Sequence, residues 1–322
     1  MATLRELVTG KGYDASQGII DEVSNLVPEL NFFDAHLIPG TSFQSVVQTA
    51  DPTTGFRAVG SGIDSSDEDY RLDTFNLGIL AGLVQRDKAA FDADVRGRDA
   101  ALTAAATSLV RSAMKTLAAK VWYGASTGSE KFSGASALVK AALTVDAGGT
   151  AATGASGVTV PSGLSSVYAI GKGLDRCHLV FCESSPLLNS SELVWKEGTM
   201  TGSNSKAVPS YWTDLTCWAG FACRNQNSIA RIANLNGTKP LTDTLLAVLV
   251  SKYAEMNDGM NPDAIFCTFA QRLELQKSRG VNFSTGRAGN LVVPAGVPLE
   301  YAGIPIIATG SLTATEAAYS AS

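Results

Sequence analysis

The chain lacks the features that mark membrane proteins, secreted proteins and most nucleic-acid binders. Its 25 lysines and arginines are fewer than its 30 aspartates and glutamates, so it has no basic excess for binding nucleic acid. No apolar run approaches the roughly 20 residues that a membrane-spanning helix needs. The first residues lack the apolar core of a signal peptide, so we expect a protein made and kept in a cytosol. Charged residues make up only 17 % of the chain, which suits a folded protein that hides much of its surface in partners.

Residues that carry chemistry are also scarce. The only two histidines, His36 and His178, have no acid or nucleophile beside them in the sequence. Catalytic partners can come from distant segments, but we expect both to be structural histidines with satisfied ring nitrogens. Five cysteines with irregular spacing match no zinc or redox motif, so we interpret them as buried free thiols. They are Cys177, Cys182, Cys217, Cys223 and Cys267. We predict no catalytic residue, cofactor or metal.

A glycine-rich turn and an aromatic group could be mistaken for ligand sites. Gly171-Lys172-Gly173 lacks the second glycine and the Lys-Ser/Thr pair of a Walker loop, and Arg176 stands where a dinucleotide fingerprint needs glycine. We predict a hairpin turn there, between strands at 166–170 and 177–182. The aromatic residues of the β-rich region could form a stacking platform, but core and interface roles are favoured. They are Trp195, Tyr211, Trp212 and Trp218.

One long helical pattern is the most informative feature that the chain does contain. Apolar side chains recur at steps of three and four, which predicts a single amphipathic helix over 92–123, on the order of 45 Å long. Acids crowd its start and lysines its end, as the helix dipole favours, and Gly124 can end it. No nucleophile, base or ligand cluster lies on it, so we interpret it as a structural strut.

The segments before this helix look incomplete in a single chain. Residues 1–38 indicate an extended arm with a short helix near 16–26. Residues 39–90 mix turn formers with short β runs such as 43–47, followed by an acidic cluster. The cluster could offer oxygen ligands to calcium, but it lacks the glycine and the final glutamate of an EF-hand. We predict a long two-stranded excursion that needs a partner for stability.

The segments after the helix predict loops, a β-rich region and a small α/β layer. We expect loops over 125–162 with a short amphipathic piece at 135–143, a polar loop over 183–209 and a β region over 213–235. A helix at 241–257, a strand at 264–267, a helix opened by a Thr268–Gln271 capping box and a strand at 303–309 form the layer.

This order of elements resembles the major capsid protein of tailed double-stranded DNA bacteriophages, whose fold is named after phage Hong Kong 97. The closest local matches are the runs at 166–181, 231–234, 263–269 and 300–309, with Thr315-Glu316-Ala317 after them. The resemblance implies an α+β fold in five parts. They are an N-terminal arm (1–38), an extended loop (39–90), a β-rich peripheral domain (91–237) with its spine helix (92–123), an axial domain (238–312) and a C-terminal tail (313–322).

The resemblance also implies a function. Copies would self-assemble into hexamers and pentamers of an icosahedral shell that encloses the phage genome, in a virion assembled in the host cytoplasm. The protein would not be an enzyme. The predicted intersubunit contacts lie in the extended loop: Arg57, Asp64, Asp67, Glu68, Asp69, Arg71 and Asp73. Basic residues that could meet the acids are Arg57, Arg86, Arg96, Arg98 and Arg111.

Departures from the family pattern shape the expected partners. No lysine occurs between Lys11 and Lys88, so we expect no covalent weld through the loop. A charged helical N-terminal extension is also missing, which implies a separate scaffolding protein. A portal is implied, and a cement or decoration protein can be accommodated. We expect only weak, non-specific contact with packaged DNA, and no membrane. The alternatives are an encapsulin-like nanocompartment shell, another phage structural component and an unrelated α/β enzyme.

Overall fold

The computed structural model describes most of the chain. The described residues are 27–93, 98–149, 163–183, 195–202, 205–279, 281–284, 290–293 and 296–320. The predicted arm helix near 16–26 lies outside them. The first described elements are a short helix α1 (Pro28–Phe32) and a strand β1 (Ala35–Ile38).

The predicted two-stranded excursion is confirmed. Strands β2 (Ser42–Ala50) and β3 (Asp69–Asn76) pair antiparallel and form a sheet of their own, which we call the extended hairpin, with its tip at 51–68. The next strand, β4 (Gly78–Asp87), lies within the predicted 39–90 loop but joins the main sheet instead. The hairpin therefore projects directly from a strand of the folded body.

The long helix is confirmed, although its predicted start is wrong. A short helix α2 (Lys88–Asp92) comes first, capped by the Asp87 carboxylate, which accepts a hydrogen bond from the Ala89 amide at 2.9 Å. The long helix α3 (Arg98–Tyr123) has 26 residues, or about 39 Å, and ends before Gly124 as predicted. Asp92, the predicted start, is instead the last residue of α2, and helical periodicity alone cannot separate two successive helices.

Helix α3 packs on a five-stranded sheet. Its strands are β1, β4, β7 (Cys177–Cys182), β8 (Lys196–Thr201) and the 17-residue β9 (Ala207–Cys223), in the order β1-β7-β9-β4 with β8 beside β9. Apolar residues of α3 such as Leu117 and Val121 share one core with Leu215 and Phe221 of β9. The predicted polar loop over 183–209 is wrong at its C-terminal end, because β8 and the start of β9 lie there.

A second, six-stranded sheet lies beside α5 (Asp243–Met256). Its strands are β5 (Thr144–Asp146), β6 (Ser165–Ile170), β10 (Ile229–Leu235), β11 (Ala264–Thr268), β14 (Glu300–Tyr301) and β15 (Ile304–Thr309). Their order in the sheet is β14-β15-β11-β6-β10-β5. Strands from both sides of residue 237, the predicted boundary between the peripheral and axial domains, thus share one sheet. The domain boundaries themselves stay a prediction.

The predicted hairpin turn at Gly171-Lys172-Gly173 is wrong. Strands β6 and β7 are both present but belong to different sheets, and this turn carries the chain from one sheet to the other. The Lys172 amide is held by the Asp263 carboxylate at 2.8 Å. Likewise, the predicted β region over 213–235 divides into β9 and β10, which lie in different sheets. Strands β6 and β7 are buried at every residue, so they lack the alternation that would identify their partners.

The predicted helices and strands of the α/β layer are confirmed at α5, β11, α6 (Phe269–Ser278) and β15. The Thr268 hydroxyl caps α6 by accepting from the Gln271 amide at 3.2 Å. The Gln271 side chain does not complete the capping box; it accepts from the Leu241 amide and donates to Ser165, both at 3.0 Å.

The segment predicted as a short amphipathic piece at 135–143 forms a short helix α4 (Ala135–Leu138) and a 3₁₀ turn (Ala141–Leu143). Strands β12 (Val281–Ser284) and β13 (Asn290–Val293) form a small separate hairpin.

Candidate assembly interface

The extended hairpin exposes apolar side chains that its own subunit does not cover. Val46 and Leu72 face each other across the two strands and are 65 % and 57 % exposed. The tip adds Phe56 and Val59, which are fully exposed, and Ile63. Several large apolar side chains exposed on one thin two-stranded ribbon are unfavourable in water and mark a contact surface.

The base of this hairpin is held firmly. Phe43 and Phe75 stack with ring centroids 5.0 Å apart, and the Arg224 guanidinium lies 5.4 Å from the Phe43 ring. The Leu77 amide donates to the Thr41 carbonyl at 2.8 Å. Gly78 has no room for a side chain, since an added Cβ would meet the Glu130 carbonyl oxygen at 2.1 Å. An anchored base with an uncovered tip suits a segment that reaches outward.

Several of the predicted contact residues are engaged within the hairpin itself. Arg71 and Asp73 form a two-pronged ion pair, with both N–O distances 2.7 Å, and this pairing raises the pKa of Arg71. Arg57 donates to the Ser61 carbonyl at 2.8 Å across the tip. The Tyr70 hydroxyl donates to the Glu68 carboxylate at 3.0 Å.

The remaining acids of the set stay open to solvent. Asp69 contributes its carbonyl, which accepts from the Thr49 hydroxyl at 3.2 Å. Asp64 and Asp67 are exposed, and no hydrogen bond or ion pair within the described chain engages them. Of the predicted basic partners, Arg98 pairs with Asp99 at 3.3 Å and Arg96 lies outside the described residues. Pairing with another subunit stays a prediction.

His178 differs from its prediction. It is completely buried on β7, and neither ring nitrogen has a hydrogen-bond partner among the described residues, so the expected satisfied histidine is wrong here. The His36 ring packs edge-on to it at 5.9 Å. Burial, together with the positive charges of Arg224 and His36, lowers the pKa of His178 to about 4. A neutral imidazole therefore lies beside the hairpin base.

A buried carboxylate joins three parts of the chain. Glu29 of α1 is completely buried and accepts from the Trp122 indole at 3.0 Å and from the Thr309 hydroxyl. These residues lie before β1, at the end of α3 and at the end of β15. Glu29 was not predicted from the sequence, although an acid within an apolar run such as 27–33 is a signal for a buried, bonded carboxylate.

The end of the chain is held by a second polar group, which we call the tail clamp: Tyr123, Ser166, Arg231 and Glu316. Arg231 contacts the Glu316 carboxylate at 2.7 Å and the Ser166 hydroxyl at 2.8 Å. The Tyr123 hydroxyl donates to Glu316 at 2.6 Å, and the Ser166 hydroxyl donates to it as well. Burial and the adjacent carboxylate raise the pKa of Tyr123, which keeps its hydroxyl protonated and donating.

The aromatic residues and cysteines that were weighed as ligand sites pack within the fold. Tyr211 is buried, Trp195 packs against Phe91 at 5.6 Å, and the Lys196 ammonium lies 4.5 Å from the centre of the Trp212 ring. All five cysteines are buried and unbridged, as predicted. Among the described residues, no group of three or more His, Cys, Asp or Glu could hold a metal ion. No helix in the described part of the chain is long and apolar enough to cross a membrane.

Comparisons with known proteins agree with these features. A family model described as major capsid protein GP7 matches residues 19–320. A chain of the bacteriophage Epsilon15 structure is 17 % identical, with 86 % of this chain and 85 % of that chain covered and a TM-score of 0.57, which shows a shared fold. The bacteriophage JBD30 capsid is 12 % identical, with 87 % and 88 % covered and a TM-score of 0.47. The SrpI encapsulin of Synechococcus elongatus is 11 % identical, with 64 % and 86 % covered and a TM-score of 0.41. No curated protein matches the chain.

The family match extends over nearly the whole chain, so it includes the hairpin, α3 and both sheets. The predicted Hong Kong 97-type capsid fold is confirmed, and so is the predicted role in forming a phage capsid shell. This role is structural and places the protein in the capsid of the virion. The chain belongs to the family of major capsid protein GP7.

Proposed function

We propose that copies of this chain form the hexamers and pentamers of an icosahedral phage shell, and that each copy lays its extended hairpin across a neighbouring subunit. The observation that carries this proposal is the exposed apolar surface of a hairpin whose base is anchored in the body. A ribbon of this kind is completed only by another chain. The arm at 1–38 would wrap beneath a neighbour in the same way.

The energetics favour a contact that is weak alone and strong in a shell. Fully burying a large apolar side chain contributes about 1.5–3 kcal/mol, so covering five of them yields on the order of 10 kcal/mol. Losses of translational, rotational and side-chain freedom on association are estimated at about 4–15 kcal/mol, which offsets most of this gain. A single hairpin contact is therefore marginal, and the many contacts of a closed shell make it stable.

The charged residues of the hairpin would determine how two subunits align more than how tightly they bind. Exposed ion pairs contribute only about 0–1 kcal/mol each. Complementary charges nevertheless disfavour wrong partners and wrong registers. We propose that Asp64 and Asp67 meet arginines of a neighbour, while Arg71 and Asp73 stay paired with each other within the hairpin.

We also propose that the shell works with the other components of a virion. The shell would assemble in the host cytoplasm on a separate scaffolding protein, include a portal and enclose double-stranded DNA, with room for a cement protein outside. The formal net charge of -5 supports only weak contact with the packaged DNA. Purified particles that hold protein cargo instead of DNA would favour the nanocompartment alternative.

Replacing both Phe56 and Val59 by serine tests the hairpin contact. Both side chains are fully exposed, so the subunit should fold normally and give an unchanged circular dichroism spectrum. We expect negative-stain microscopy to show shells or rings of five or six for the wild type and a large loss of them for the variant. Thr54→Ser, on the same tip, is the matched control and should assemble normally.

Two results would contradict the proposal. Shells from the double variant at wild-type yield would remove the hairpin from the interface. A wild-type protein that stays a monomer under all conditions, without rings or shells, would count against the assembly itself.

A further inference from the structure

Two of the five cysteines face each other across a strand pair. Cys177 on β7 and Cys223 on β9 are directly opposed in the antiparallel register, and their Sγ atoms are 3.2 Å apart. The Cys177 thiol donates to the Cys223 sulfur, and the Cys223 thiol donates to the Asn225 carbonyl at 3.1 Å. Both side chains are buried.

The backbone places this pair where a bond between the sulfurs is feasible. The Arg224 amide donates to the Arg176 carbonyl at 2.9 Å, so the neighbouring pair is the hydrogen-bonded one. Cys177 and Cys223 therefore form a non-hydrogen-bonded pair, whose Cα atoms are typically about 4.5 Å apart. This spacing falls within the range of roughly 4.4–6.8 Å seen in disulfides, and the sulfurs need to approach by only about 1 Å.

A small oxidant has a route to one of the two thiols. Cys223 lines a cavity of about 190 Å³ that also contacts Phe75, Phe132 and Gln226, near the base of the extended hairpin. Cys177 does not line it. Burial, together with the Cys223 contact, raises the pKa of the Cys177 thiol. Cys223 is therefore the thiol expected to react first, and more slowly than an exposed thiol would.

We propose that Cys177 and Cys223 are an oxidation site, and that a hydroperoxide such as hydrogen peroxide converts them to a disulfide that staples β7 to β9. The Cys223 sulfur attacks one peroxide oxygen; an S–O bond forms, the O–O bond breaks, and the hydroxide leaves as water with the thiol proton. The Cys177 sulfur then attacks the Cys223 sulfur; the S–S bond forms, the S–O bond breaks, and a second water leaves. Two thiols lose two electrons and two protons, and one peroxide becomes two waters.

The position of the staple gives it a consequence for the shell. Arg224, which follows Cys223, contacts the Phe43 ring at the hairpin base, and His178, which follows Cys177, packs near the same ring. A covalent link here stiffens the anchor of the hairpin. Reducing conditions in a cytosol keep thiols free, and oxidising surroundings outside the cell allow the bond. This timing rests on the proposed assembly in the host cytoplasm, whereas the bond itself does not.

Peroxide treatment of the purified protein, followed by alkylation in denaturant and peptide mass mapping, tests the pair. We expect the intact mass to fall by about 2 Da, because two hydrogens leave. We expect two of the five thiols to become protected and one linked peptide to contain Cys177 and Cys223. Dithiothreitol should restore all five thiols. Five alkylated thiols after treatment, or a link between other cysteines, would overturn the proposal.

Variants and stability give independent readouts. Cys223→Ala should abolish the link, while Cys267→Ala, a buried cysteine of the other sheet, should retain it. Oxidised wild-type protein should unfold at a higher temperature than reduced protein, and Cys223→Ala should lose that difference. Equal midpoints for the two wild-type forms would refute the staple. Since the mapping needs only wild-type subunits, a missing link counts against the cysteine pair and missing shells count against the assembly.

Discussion

Replacing Glu316 by alanine should strongly destabilise the subunit, although this residue lies only six positions from the end of the chain. Its carboxylate is almost fully buried and is bound by Arg231, Tyr123 and Ser166. The substitution leaves the Arg231 charge buried without its counter-charge. Breaking a buried pair in this way costs about 3–5 kcal/mol, a large part of a typical total of about 5–15 kcal/mol.

Urea unfolding of unassembled subunits, followed by tryptophan fluorescence, measures this loss without the contribution of shell contacts. Thr315→Ala, at an exposed neighbouring position, is the matched control and should change the free energy of unfolding by less than about 0.5 kcal/mol. The double variant Glu316→Leu with Arg231→Met removes both charges and should recover much of the loss. Two results would mean that the buried pair is not the source of the loss. One is a Glu316→Ala variant within about 0.5 kcal/mol of wild type, and the other is a double variant whose loss is the sum of the losses of Glu316→Leu and Arg231→Met alone.

Three further predictions concern the hairpin base and the spine. Because burial and neighbouring positive charge lower the pKa of His178 to about 4, only the unfolded chain binds its proton between pH 6.5 and 4. The free energy of unfolding should therefore fall by up to about 3 kcal/mol as the pH falls through this window, and His178→Leu should flatten the fall in urea titrations. Gly78→Ala should lower the thermal midpoint, since its Cβ meets backbone, whereas Gly62→Ala at the open tip should not. Ala118→Leu on the buried face of α3 should cost about 1–3 kcal/mol in urea, and Ala104→Leu on the exposed face much less; equal costs would contradict the packing described for this helix.

Local sequence patterns were sufficient to predict those helices and strands that have a clear periodicity or apolar run. The end of α3, the helix α5 and the strands β11 and β15 follow from helical periodicity, apolar runs and flanking glycines. The extended hairpin was predictable because turn residues, short β runs and acids mark a segment too polar for a core. The resemblance to capsid proteins rested on the order of these elements, and the family match bears it out.

Long-range relations were not accessible in the same way. Strands β6 and β7 are each buried at every residue, so nothing in their composition shows that they belong to different sheets. Glu29 meets Thr309 across 280 positions, and Glu316 meets Arg231 across 85. These contacts depend on how the two sheets and α3 pack together, and this packing cannot be predicted from a short stretch of sequence.

Electron cryo-microscopy of assembled particles shows where the hairpin tip at 51–68 lies. It therefore tests whether the neighbouring subunit in the shell completes the extended hairpin of each subunit. We predict density for Phe56 and Val59 against the body of an adjacent subunit, with Asp64 and Asp67 close to basic side chains of that subunit. A tip that points into solvent, or folds back on its own subunit, would mean that the neighbour does not complete the hairpin.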